Sequence, residues 1–139
     1  MSRAPVVAVG AIVRRGDDVL LVLRGTPPNE NQWAIPGGRL QLGETLQQGA
    51  EREILEETGI HIKAGDVVFT FEHIERDLDG VVQFHYVVLD VAAEYLSGEP
   101  HADDDARDAR WIPLAQLGQW PVNSTTLQAL RQLFPDRVR

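Results

Sequence analysis

Between Thr45 and Gly59 the chain carries one helix that its own sequence brackets at both ends. Thr45 followed three residues later by Gln48 forms a capping box, in which each side chain satisfies a backbone N–H that the first helical turn leaves free. Gly59 suits the left-handed position that ends a helix. The flanks read as strands. Val6 to Val13 is rich in β-branched residues, Gly16-Asp17-Asp18 supplies turn chemistry, and Val19 to Leu23 is apolar again, the pattern of a β-hairpin. Gly25 to Asn31 has the composition of a loop and leads through Trp33-Ala34-Ile35 to the sharp turn Pro36-Gly37-Gly38. Val67 to His73 and Val81 to Val91 flank Asp77-Leu78-Asp79-Gly80 as a second hairpin. The acidic stretch Ser97 to Arg107 precedes a short strand over Ala109 to Ile112, and Ser124 is placed to cap a closing helix reaching about Phe134. Strands, one central helix, more strands and a last helix predict an α/β/α layered domain around a mixed sheet.

With 139 residues and 43% hydrophobic content, the chain is expected to form a single domain over 1–139. Its 13 basic and 21 acidic residues leave a net charge of -8, so the footprint of a nucleic-acid or anionic-membrane binder is missing. Phosphate recognition by such a chain calls for bridging cations or a local arginine. There is no cysteine, which leaves oxygen and imidazole as the available metal ligands. Val6 to Val13 is too short to span a bilayer and the first residues lack a leader pattern, so a soluble cytoplasmic protein is expected.

The chemistry gathers on the bracketed helix. Leu46, Gly49, Ala50, Glu53 and Glu57 follow one another at helical spacing, so an apolar stripe runs into carboxylates. Glu56 lies on the flank of that stripe, one turn from Arg52, within reach of its guanidinium. A charged helix usually shows such residues to solvent, but this arrangement carries costs. Glu53 and Glu57 are a like-charge pair one turn apart, worth about 0.2–0.5 kcal/mol. Acids near a helix C-terminus oppose the dipole by about 0.3–1 kcal/mol each. A hard divalent cation would relieve both terms, with magnesium taking its remaining ligands from water and substrate phosphates. Gly37 and Gly38, ordinary turn residues otherwise, let the main chain approach a metal or phosphate closely enough for a carbonyl to act as a ligand.

Gly38, Glu44, Arg52, Glu53, Ile54, Glu56, Glu57, Gly59 and Ile60 stand at the spacing that marks the Nudix (MutT-like) hydrolases, with every fixed position filled. The chain resembles that family across Gly38 to Ile60. The resemblance implies a Nudix-type α/β/α sandwich with a central mixed β-sheet and metal-dependent cleavage of a nucleoside diphosphate linked to another moiety. Magnesium, or manganese, would be carried chiefly by Glu56 and Glu57, with Glu53 and the Gly38 carbonyl adding ligands. Arg52 would orient the glutamates and Glu44 would tie the loop to the helix, while Ile54, Gly59 and Ile60 look structural.

Water attack on a pyrophosphate needs a carboxylate to take the proton. Glu53 is one choice, and the acids Asp103, Asp104, Asp105 and Asp108 supply the other, with Asp104 and Asp105 preferred over a purely solvated role for that loop. Arg24, Gly37, Gly38 and Arg39 form the expected substrate-binding set. Phe69, Phe71, Phe84, Tyr86 and Trp33 are available to stack on a base, although packing is the favoured role for most of them, as it is for His73 and His85. The segments Arg24 to Trp33 and Asp104 to Trp111 resemble a bacterial branch of ADP-ribose pyrophosphatases, which makes ADP-ribose the first substrate. The proline that marks one ADP-ribose branch beyond the signature is absent, Ile74, Glu75 and Arg76 standing there. The alternatives are a pyrophosphohydrolase of an oxidised nucleoside triphosphate and a nucleotide-sensing domain without catalysis. The family resemblance also implies a possible homodimer.

Overall fold

The computed structural model describes residues 3–138. Its order is β1 (Val6–Arg15), β2 (Asp18–Arg24), β3 (Trp33–Ala34), β4 (Gly37–Arg39), α1 (Leu46–Thr58), β5 (His61–Arg76), β6 (Val82–Ser97), β7 (Ala106–Pro113), a 3-10 turn (Leu114–Gln119) and α2 (Ser124–Leu133). The seven strands form one mixed sheet, in which β1 and β6 are parallel and the other neighbours antiparallel.

One irregularity in the sheet creates the site. The same edge of β1 pairs with β2 at Arg14 and Arg15 and with β4 at Ala8, Val9 and Gly10. The corresponding edge of β2 pairs with β1 at its start and with β3 at Val22 and Leu23. The two strands therefore part beyond the hairpin turn, and β3 and β4 fill the fork. Pro36, which has no N–H to give a ladder, sits between them and accepts from Ala11 N–H at 3.2 Å through its carbonyl.

Both faces of the sheet are covered, and strand alternation sorts the core accordingly. Val9, Ala11, Val13, Leu20 and Val91 pack with Ala50 and Ile54 of α1 and with Ile60 and Ile62. Ile12, Val19 and Leu21 point the other way, towards Trp33, Ile112, Leu114, Leu117 and Leu130 of α2. Burial on both faces is why Val19–Val22 is apolar without interruption.

Helix α1 begins and ends as expected. The Thr45 hydroxyl accepts from Gln48 N–H at 3.1 Å, and Gln48 Oε1 accepts from Thr45 N–H at 2.9 Å. Gly59 closes the helix at φ 75°. Helix α2 differs at its start: Asn123, not Ser124, is the cap, its side-chain oxygen accepting from Thr125 and Thr126 N–H at 3.0 and 3.1 Å. Asn123 is held there by its own N–H, which donates to Trp33 O at 2.8 Å, a tertiary contact that moves the helix start by one residue. The β5–β6 hairpin is longer than its β-branched segments suggest, with register shifts around Ala64, Val67 and Phe69 where Gly65 and Asp66 interrupt the pattern. Strand β7 likewise extends to Ala106 and Pro113 by pairing along the whole of β2. Among the described residues no helix is long and apolar enough to cross a membrane.

Candidate active site

The fork delivers Gly37 and Gly38 to the C-terminal half of α1. A Cβ on Gly37 would lie 2.2 Å from Val9 O, so only glycine lets β4 run against β1 here. A Cβ on Gly38 would lie 2.3 Å from Oε2 of Glu53, so that carboxylate rests directly on the glycine backbone. Gly37 N–H donates to Glu57 Oε1 at 3.1 Å. Loop and helix are thus joined through two acids.

Arg52 organises the others. Its Nε and Nη2 donate to the two oxygens of Glu44 at 2.7 and 3.0 Å, its Nη1 to Glu53 at 2.8 Å and to Glu56 at 3.1 Å, and its Nη2 also to Arg39 O at 3.0 Å. This pairing holds the Glu44 carboxyl below its ordinary range and keeps Arg52 firmly protonated. Burial pushes Glu53 up, Arg52 pulls it back, and the charges of Glu56 and Asp104 add to the rise. Glu57 is pushed up to about 7, first by burial and then by the Glu53 charge, against the Gly37 N–H and the more distant Arg24.

Those shifts mark where positive charge is wanting. Arg52 is spent on Glu44, Glu53 and Glu56, whereas Glu57 forms no ion pair among the described residues. In the observed side-chain positions no three His, Asp or Glu side chains among the described residues converge on one point. The oxygen donors fit a hard cation that takes one or two carboxylates, a carbonyl and otherwise water or phosphate oxygens. Glu57, Glu56, Glu53 and the Gly38 carbonyl are the residues able to provide such a set.

All of this opens onto a cavity of about 670 Å³ between the fork, α2 and the loop before β7. Arg24, Gly37, Gly38, Arg39, Glu53, Glu56, Glu57, Asp104 and Asp105 all line it, and Arg52 stands behind them. Asp104, at φ 53°, is close enough for its charge to act on Glu53 and Glu57. Asp103 and Asp108 turn elsewhere: Asp103 accepts from Asp104 N–H, and Asp108 pairs with Arg110 at 2.7 Å. Arg24 faces the cavity while its Nε donates to Pro28 O at 2.6 Å.

The aromatic residues divide. Trp33 and Phe69 are core, as the packing expectation has it, but Phe71, Phe84 and Tyr86 line the cavity, together with His73. Phe84 and Tyr86 stack at 6.1 Å between centroids and 17° between planes. Only Thr125 and Thr126 of α2 join them in lining this cavity, so strand alternation alone could not separate floor from core. Asp90 is a further lining residue that sequence reasoning passed over. It stands between Leu89 and Val91 in an apolar strand, is 2% exposed, and is pushed up to about 7 by burial alone. A charged residue amid such a run was the available signal.

The NUDIX domain family model matches residues 4–133. An ADP-ribose pyrophosphatase of Methanocaldococcus jannaschii is 35% identical over 81% of this chain and 64% of its own length. The chain spans about half to two thirds of the length of the first curated relatives it matches. A MutT Nudix hydrolase structure from Burkholderia pseudomallei superposes with TM-score 0.80 at 30% identity, covering 94% of this chain and 99% of that one. A bifunctional NMN adenylyltransferase/ADP ribose pyrophosphatase from Francisella tularensis, solved with AMP and a manganese ion, gives TM-score 0.71 at 25% identity over 97% of this chain and 42% of that one. The loop held to a carboxylate-bearing helix by Arg52, the sandwich around it and the match along nearly the whole sequence agree: the chain belongs to the Nudix hydrolase family.

Proposed function

We propose that this chain is a divalent-metal-dependent pyrophosphohydrolase of nucleoside diphosphate derivatives, with ADP-ribose as its substrate and magnesium, or manganese, as its ion. The observation that carries the reading is Glu57: a half-buried carboxyl with no ion pair among the described residues, bonded to Gly37 N–H and facing a cavity of nucleotide size. ADP-ribose is favoured by the likeness to the Methanocaldococcus jannaschii ADP-ribose pyrophosphatase. The AMP and manganese of the Francisella tularensis structure are compatible with its product and ion.

When bound, a divalent cation would neutralise the phosphate charge and acidify the attacking water. The chain's own groups do the rest. Glu53, Glu56 and Glu57 hold positive charge against the diphosphate, Arg52 fixes the first two in place, and Arg24 and Arg39 meet phosphate oxygens at the rim. Glu53, or Asp104 and Asp105 opposite, accepts the proton of the attacking water. Breaking one bridging P–O bond of ADP-ribose with one water yields AMP and ribose 5-phosphate.

The test is product release across a panel of nucleotide sugars and nucleoside triphosphates with and without magnesium. ADP-ribose is expected to give AMP only when the cation is present. Retained binding without turnover of any member would instead favour a nucleotide sensor.

A further inference from the structure

Asp90 has no function in the chemistry above, and burying a carboxyl without a partner costs free energy that folded proteins seldom leave uncompensated. It lies on β6 beside Gly10 of β1, on the face turned away from α1, and lines the cavity floor. A Cβ on Gly10 would fall 2.4 Å from its Oδ1, so the glycine makes room for the carboxyl. Its carboxyl takes part in no side-chain hydrogen bond or ion pair among the described residues, and burial raises its pKa. Further along this face, opposite Tyr86, Nε2 of His73 is a buried polar atom without a hydrogen-bond partner among the described residues.

The surroundings narrow what would complete the site. Val88 is the next residue on the same face of β6, and Phe71 lies opposite it on β5. A flat ring fits over these two side chains beside Asp90. Gly10 pairs with Gly37 on one side and Asp90 on the other, which sets Asp90 two strand spacings, about 10 Å, from the phosphate end of the cavity. That is the separation between a phosphate and the far edge of the base in one nucleotide. In either protonation state the carboxyl keeps an accepting oxygen, which an N–H donor from a ligand would satisfy.

We propose that Asp90 is a specificity-determining residue, whose carboxyl accepts a hydrogen bond from the exocyclic amine of a purine base lying over Val88 and Phe71. The inference rests on the cavity being the nucleotide site and names the base class that it takes.

Calorimetric titration of the full chain with magnesium present tests it without turnover, using two matched pairs: AMP against purine riboside 5′-monophosphate, and GMP against IMP. Each pair differs by one amine. The amine-bearing member of one pair is expected to bind about tenfold more tightly or better, the worth of one hydrogen bond to a buried acceptor. In Asp90→Leu that preference should collapse to near unity, whereas Asp90→Asn, which keeps one acceptor oxygen, should retain part of it. Equal affinities within both pairs, no binding of any of the four, or an amine preference that survives in Asp90→Leu would overturn the proposal. The wild-type comparison needs no variant and can overturn it alone. Failure to hydrolyse ADP-ribose would leave the amine preference standing, so the two readings fail separately.

Discussion

Arg52 grips Glu44 with two prongs, Nε to Oε2 at 2.7 Å and Nη2 to Oε1 at 3.0 Å, across the junction between the glycine loop and α1. The same guanidinium reaches Glu53 and Glu56, so the anchoring of the loop and the aim of two acids depend on one planar fork. Lysine has the charge without the fork. Arg52→Lys is therefore expected to lower kcat by about tenfold and Arg52→Ala by about a hundredfold, with smaller effects on KM. Steady-state kinetics on both variants checks this, and Arg52→Lys at wild-type kcat would remove the orienting role.

Glu57→Gln keeps an acceptor for Gly37 N–H and removes the half-buried charge. Turnover should fall by about a hundredfold or more, while the melting temperature holds or rises. Magnesium should raise the melting temperature of the wild type, because a cation that binds only the folded state stabilises it, and should do so much less for the variant. Chelation of the ion should abolish wild-type turnover and be reversed by adding magnesium back.

The two loop glycines are predicted to fail differently. At Gly37 a Cβ meets backbone, 2.2 Å from Val9 O, and nothing there can move without breaking the β1–β4 pairing. At Gly38 it meets the end of the Glu53 side chain, which can swing away. Gly37→Ala should cost on the order of 3 kcal/mol of stability or prevent folding, whereas Gly38→Ala should fold and lose activity. Denaturant unfolding and kinetics on the pair separate these outcomes.

Asp90 predicts a stability that depends on pH. Its carboxyl is pushed up to about 7 in the folded chain, against about 3.9 in an unfolded one. The folded state therefore favours the neutral acid: the contribution is full below about pH 4 and is lost as the pH rises towards 7. Asp90→Asn, neutral throughout, should match the wild type near pH 4 and exceed it at pH 8, by on the order of 4 kcal/mol. Melting curves of both proteins across that range check the sign. A gap that stays constant with pH would show that Asp90 does not titrate as a buried group.

The elements most legible in the sequence were those governed by neighbours along the chain. The capping box at Thr45 and Gln48, the end at Gly59 and the β1–β2 hairpin need only local hydrogen bonds and backbone conformation. The helix cap at Asn123 did not show, because the Trp33 carbonyl that positions it lies far away in sequence. Gly65 and Asp66 hid the start of the long β5 strand for a similar reason: pairing with β6 carries the strand through residues whose own preference is weak.

The same division runs through the site. By itself the sequence determined which residues gather on α1 and which glycines precede it, since helical periodicity and the spacing from Gly38 to Ile60 are properties of one continuous segment. Only the tertiary structure decided that Glu57 forms no ion pair among the described residues while Glu53 and Glu56 share Arg52, that Asp104 and Asp105 rather than Asp103 and Asp108 face the cavity, and that Asp90 lies on its floor. Burial, and with it the electrostatic cost of each carboxyl, is set by what packs against a residue from elsewhere in the chain. Alternation along β6 assigns a face to Asp90 and Phe84 alike, and only the forked sheet and the reach of α2 determine whether that face is core or cavity.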